Sequence, residues 1–317
     1  MKAVSFFAGV GGIDLAFEKA GFKCIWANEI DRNAAQTYRA NFDNTLVVED
    51  IRNIDPKDVP SSEVLLAGFP CQAFSVAGYR KGFNDDRGNL FFDLMKVVED
   101  KLPPILFLEN VKNLVGHDGG KTFKIILEAL EANGYHVKHK VLNASEYGNV
   151  PQNRERIYMV AFRDEKTYHH FEFPQPQMLV NKLSDFIKYD ERVDAKYYYT
   201  PEKCKFYDQL KADVTNENTT YQWRRIYVRE NKSNLCPTLT ANMGTGGHNV
   251  PLIKSKYGIR KLTPRECFNL QGYPATFLIP DTQAQSHLYK QAGNSVVVPV
   301  IERIAQNIMN AVLMSKQ

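Results

Sequence analysis

The first half of the chain alternates short apolar runs with segments of helical period. Lys2–Phe7, Phe22–Ala27, Thr45–Val48, Val64–Ala67, Ile105–Leu108, Val137–Leu142 and Ile157–Phe162 read as strands. Ile13–Ala20, Arg32–Ala40, Leu90–Val98 and Thr122–Ala132 repeat their apolar positions at the spacing of a helix face. Strands separated by helices of this length predict an α/β fold with a doubly wound, mostly parallel sheet.

The texture changes after Phe173-Pro174-Gln175-Pro176. From about 183 to 283 the chain is rich in Tyr, Asn, Thr and Gly, with little helical period, so short strands and long loops are expected. Pro299–Met314 recovers an amphipathic helix through Val300, Ile301, Ile304, Ile308 and Val312. At 317 residues there is room for a large domain and a smaller one. A hydrophobic share of 44% and a charged share of 24% are those of an ordinary globular chain. No apolar run stands out as a membrane span, and Met1-Lys2-Ala3-Val4 runs straight into a strand, leaving no room for a signal peptide. A cytoplasmic protein with no membrane partner is expected.

Charge changes this picture by where it lies. The net charge is only +4, but residues 196–265 hold thirteen Lys or Arg against five Asp or Glu. A basic segment beside a mildly acidic body is the footprint of phosphate contact.

The candidate chemistry begins at Gly68-Phe69-Pro70-Cys71-Gln72, a cysteine on a turn directly after a buried strand. Ligands of open α/β sheets gather at such carboxyl ends. Phe107-Leu108-Glu109-Asn110-Val111 adds an acid, and Gln152-Asn153-Arg154-Glu155-Arg156 adds two guanidiniums. A thiol, an acid and two guanidiniums suit addition to an electron-poor ring such as cytosine. A carboxyl on a buried strand is desolvated, which favours its protonated form. The five cysteines are odd in number and far apart, with no Cys-x-x-Cys pair. A reduced compartment is therefore expected, without disulfides and without a metal site. Cys24, Cys204, Cys236 and Cys267 read as inert core residues.

These segments, in this order, resemble the motifs of the bacterial DNA (cytosine-5) methyltransferases of the restriction-modification type. Phe6-Phe7-Ala8-Gly9-Val10-Gly11-Gly12 opens the series. Arg265-Glu266-Cys267, Gln271-Gly272-Tyr273-Pro274 and Gly293-Asn294-Ser295-Val296 extend it, so the likeness covers nearly the whole chain. It implies a Rossmann-like, S-adenosyl-L-methionine-dependent methyltransferase domain over 1–182 and 284–317. A smaller, irregular β-rich target-recognition domain would span 183–283. It further implies that Cys71 adds to a flipped-out cytosine, that Glu109 stabilises the adduct, that Arg156 holds the base carbonyl, and that Arg154 holds a phosphate or the loop. An RNA cytosine-5 methyltransferase on the same fold is the alternative.

The glycine-rich turn is not the G-x-G-x-x-G dinucleotide fingerprint, which argues against a nicotinamide cofactor. Glu29, about 20 residues on, is placed to take the ribose hydroxyls, and Asp50 an adenine amino group. Phe7, Gly9, Gly11, Gly12, Ile30, Ile51, Pro70, Leu90 and Asn294 match the remaining cofactor positions. For DNA the candidates are Gln72, Ser75, Gln222, Arg224, Arg225 and Thr238. Ala77 stands where relatives place a polar residue in the vacated base stack, so Gln222 is the candidate to fill that gap. Double-stranded DNA, a separately acting cognate endonuclease and a monomeric state complete the expectation.

Overall fold

The computed structural model describes residues 1–70, 90–231 and 233–317. Cys71, Gln72, Ser75 and Ala77 lie outside the described residues. The chain separates into two compact units. Unit 1 comprises Met1–Leu142, Glu155–Gln175 and Val300–Gln317; unit 2 comprises Asn143–Arg154 and Pro176–Pro299. These compact units divide the chain at other points than the functional domains expected from sequence.

The strands of the first half are β1 (Lys2–Phe6), β2 (Lys23–Asn28), β3 (Thr45–Val47), β4 (Val64–Ala67), β5 (Ile105–Val111), β6 (His136–Asn143), β7 (Gln152–Asn153) and β8 (Glu155–Phe162). All but β7, which belongs to unit 2, form a seven-stranded sheet in the order β3-β2-β1-β4-β5-β8-β6. The pairs β1–β2, β2–β3, β1–β4 and β4–β5 are parallel, whereas β8 runs antiparallel to β5.

Both faces of this sheet are covered, which is why its strands read as continuous apolar runs instead of alternating ones. Val4, Phe6, Leu65, Ala67, Leu106 and Leu108 face a core shared with helices over Leu90–Lys101 and Lys121–Ala132. The intervening residues turn to the other face. There the ring of Phe107 meets that of Phe17, on the helix Gly12–Lys19, at 5.1 Å. The Ser5 hydroxyl donates to Asp14 at 2.9 Å, and Tyr38 donates to the same carboxyl at 2.7 Å. Burial pushes that carboxyl up to about 6 despite both donors.

The stretch Gln285–Ser315 is long and apolar enough to cross a membrane by length and composition alone, and the last helix, Val298–Ser315, ends it. Within unit 1, Val300, Ile301, Ile304, Ala305 and Ile308 are fully buried while Glu302 pairs with Lys19, so the helix behaves as a core helix with one wet side.

Unit 2 is irregular and rich in short strands, as its composition predicts. The strands β9 (Tyr221–Trp223), β10 (Val228–Glu230), β11 (Cys236–Pro237), β12 (Leu252–Ser255) and β13 (Gly258–Lys261) follow in turn. An antiparallel sheet has the order β10-β9-β12-β13, and β11 pairs with β7 in parallel. Tyr221, Leu210, Leu252 and Ile259 form its small core. A buried ion pair stiffens it further. Arg260, fully enclosed, donates to both oxygens of Glu266 at 2.7 and 2.8 Å. Glu266 also accepts from the Thr263 N–H, closing a capping box on the helix Pro264–Asn269.

Candidate active site

In unit 1 the β1 strand ends in a turn that only glycine can complete. Gly11 has φ 86°, and a Cβ there would meet the Phe42 ring at 2.2 Å. Gly9, at φ 57°, has open space where its Cβ would point. Beneath this turn the Glu29 carboxyl is buried, and each of its oxygens accepts one backbone N–H at 2.7 Å, from Gly9 and from Asp31. Burial, the larger influence, raises its pKa above the ordinary carboxylate value. Each oxygen keeps a second lone pair, enough for a pair of hydroxyls. Next to it Ile30 is 60% exposed, an apolar side chain left uncovered beside a polar cradle. Glycines, acid and apolar wall together fit an adenosyl group.

The remaining cofactor candidates are placed less uniformly. Phe7 holds a positive φ of 54°, and both Phe7 and Leu90 pack partly buried against the unit 1 core. Gly12 opens the first helix, and Pro70 is exposed. Ile51 is a core residue. The Asp50 carboxylate is engaged by Arg52, whose Nε donates at 2.9 Å, and this hydrogen bond holds its pKa low. Asn294 is exposed at the end of the helix Gln285–Asn294 in unit 2.

Two catalytic candidates of unit 1, Glu109 and Arg156, meet. The register sets Glu109 opposite Tyr158 and Val111 opposite Arg156, so Glu109 and Arg156 are diagonal neighbours on one face. The Arg156 Nε lies 3.2 Å from Glu109 Oε1, with both side chains largely buried. The segment that leads to Cys71 is drawn to the same spot. Asn110 Nδ2 donates to the Phe69 carbonyl at 2.8 Å, and a Cβ on Gly68 would sit 3.6 Å from Glu109 Oε2. Asn110 had no assigned role in the sequence reading; its place after a buried acid on a strand end is the signal that was available.

Arg154 lies elsewhere. In unit 2 its guanidinium is buried and donates to the carbonyls of Leu239 at 2.6 Å, of Gly293 at 3.3 Å and of Ser295. Gln152 works beside it. Its amide donates to the Leu270 carbonyl at 2.7 Å and accepts from the Leu239 N–H at 3.1 Å. Gly293 is packed so closely that a Cβ would fall 2.1 Å from the Thr240 carbonyl carbon. The described surroundings of Arg154 are thus internal to unit 2, while Arg156, two residues on, faces Glu109.

Four of the DNA candidates lie on unit 2. An open cavity of about 940 Å³ is lined by Gln222, Arg224 and Thr238 among others. Arg224 Nη2 donates to Gln222 Oε1 at 3.3 Å, and Thr238 donates to the Asn153 carbonyl at 2.6 Å. Arg225 sits exposed in the turn at φ 63°. Cys24, Cys204, Cys236 and Cys267 are all buried, and burial pushes the thiols of Cys24, Cys236 and Cys267 up. They are core residues in the structure, as expected.

The family model of the C-5 cytosine-specific DNA methylases matches residues 1–310. A type II methyltransferase of Bacillus sp. (strain RFL6), M.Bsp6I, is 62% identical over 99% of this chain and 100% of its own. The type II methyltransferase M.HaeII of Haemophilus aegyptius is 41% identical over 99% of this chain and 94% of its own. Among solved structures, a DNMT2 mutant of Spodoptera frugiperda superposes with a TM-score of 0.74 at 20% identity, covering 97% of this chain and 99% of that one. The last likeness is one of fold.

Proposed function

The chain belongs to the C-5 cytosine-specific DNA methylase family, and on that premise we propose that it methylates carbon 5 of a flipped-out cytosine within a short duplex DNA sequence, through a covalent adduct with Cys71. The observation that supports this most is the convergence in unit 1 of Glu109, Arg156 and the segment entering Cys71.

Carbon 5 of cytosine is a weak nucleophile. Addition of the Cys71 thiolate to carbon 6 forms an S–C bond and moves the ring electrons toward nitrogen 3. Glu109, in its protonated form, supplies the proton that neutralises the charge there. Arg156 holds the carbonyl oxygen of the base and keeps the Glu109 carboxyl oriented. Carbon 5 is now part of an enamine and attacks an electrophile. Glu29 would hold the ribose and Ile30 the adenine of S-adenosyl-L-methionine, which when bound would supply the electrophilic methyl group. Transfer of the carbon 5 proton to water forms the carbon 5–carbon 6 double bond as the S–C bond breaks and releases Cys71 as thiolate, and nitrogen 3 returns its proton to Glu109. A base within a duplex must first leave the stack, at roughly a few kcal/mol, and the basic, cavity-bearing unit 2 offsets that cost through DNA contacts. The protein is read as cytoplasmic and monomeric, protecting host DNA beside a separately acting endonuclease.

The test is transfer of labelled methyl to duplex DNA, followed by bisulfite sequencing and by trapping on a 5-fluorocytosine duplex. The expected result is a covalent complex whose peptide contains Cys71. Methylation of RNA but not of duplex DNA would instead establish the alternative substrate.

A further inference from the structure

The hairpin β9–β10 in unit 2 is amphipathic. Tyr221, Trp223 and Val228 join its apolar cluster, with Trp223 stacked on Phe206 at 3.8 Å. On the cavity wall stand Gln222, Arg224 and Arg229. The register sets Arg229 directly opposite Gln222, so the two side chains emerge on one face as cross-strand neighbours. β10 is the edge strand of its sheet, and the connecting turn leaves Ile226 82% and Tyr227 52% exposed. The ribbon therefore ends in solvent.

A two-stranded ribbon is one of the two elements that the major groove of B-DNA admits. Its outward face bears two guanidiniums and an amide. Arg224 shares a hydrogen bond with Gln222, but among the described residues the Arg229 side chain is engaged by no hydrogen bond or ion pair. The single carboxylate on the cavity wall among the described residues, Glu230, accepts from Asn216 at 3.2 Å. Arg229 thus offers a complete, unspent donor fork. Of the base edges in the major groove, that of guanine presents two acceptors, O6 and N7, at the spacing of such a fork.

The geometry points to Arg229 as a specificity-determining residue that reads one guanine of the recognition sequence. This rests on the reading of the chain as a duplex DNA methyltransferase and deepens it. A phosphate contact is the competing role, and the two part company experimentally. A base contact acts on one position of the sequence, whereas a phosphate contact acts on all sequences alike.

The experiment uses the full chain. The methylated site of the wild type is mapped first, and kcat/KM is then measured on duplexes carrying every single-base change in it. Arg229→Ala should lower kcat/KM on the mapped site by about 5- to 150-fold, the range of a good bidentate base contact. It should leave duplexes altered at one particular guanine nearly unaffected, so that discrimination collapses there alone. Arg229→Lys keeps the charge without the fork and should lose the same discrimination. Because Arg229 is exposed, both variants should melt as the wild type does. Uniform loss across all duplexes, restored by Lys and joined by a shallower salt dependence, would overturn the proposal in favour of a phosphate contact. Unchanged discrimination would overturn it outright. A wild type that methylates no duplex DNA would sink the parent reading, a result distinct from either.

Discussion

Arg154 and Arg156 are two residues apart, yet their surroundings could hardly differ more. Arg156 stands on a strand of unit 1 against an acid. Arg154 is buried in unit 2 and binds carbonyls of the Leu239 loop and of the end of the helix Gln285–Asn294. The contrast extends to the units around them. In unit 1 the polar groups are set by a seven-stranded sheet whose register leaves them little freedom. In unit 2 they line an open cavity and a ribbon with donors to spare. Bond-making needs groups fixed to a fraction of an ångström, whereas reading a sequence needs donors not already satisfied by the protein. One motif, Gln152–Arg156, serves both kinds of structure.

The largest effect should come from the proposed nucleophile. Cys71→Ser is expected to abolish methyl transfer while DNA binding persists, checked by labelled methyl incorporation beside a gel-shift titration. Loss of binding in parallel would blur the division between chemistry and recognition. Next, Glu109→Gln should reduce kcat by roughly 10²–10⁴-fold, the usual contribution of a positioned general acid, with KM for DNA little changed. An effect confined to KM would move Glu109 out of the chemistry.

Arg154→Ala should act on stability. Stripping a buried guanidinium from three carbonyls is expected to lower the unfolding free energy by about 2–4 kcal/mol, read from denaturant titration. An unchanged midpoint with a shallower salt dependence of binding would return Arg154 to a phosphate contact, one of the two roles expected from sequence. The smallest change belongs to the surface. Arg224→Ala should weaken DNA binding and reduce the salt slope by about one unit if it meets a phosphate. An unaltered slope would assign it to a base edge or to support of Gln222.

Much of unit 1 was legible because each of its strands is an apolar run bounded by a polar turn. What the pattern could not show is direction. Ile157–Phe162 is as uniformly buried as the parallel strands, so nothing in its composition marks it as antiparallel to β5. The diagonal meeting of Glu109 with Arg156 depends on that direction. The roles of Asn110 and Gln152 were hidden for a related reason. Both amides bind backbone carbonyls distant in sequence, and a carbonyl leaves no trace in the identity of its residue. In unit 2, hairpin register decided what composition could not, since Arg229 gains its significance only from standing opposite Gln222.

The chain passes between the two units four times, and this bears on how such a protein can be inherited in pieces. A gene exchange confined to codons 183–283 would import a new ribbon and a new Leu239 loop. It would leave Gln152, Arg154 and Gly293 with the recipient. Incoming segments would then be filtered by backbone shape: the donor loop must offer a carbonyl to a resident guanidinium, and it must pass a helix at a point where even a methyl group does not fit. Recombination among relatives would thus keep the frame of the loop while leaving the ribbon free to drift.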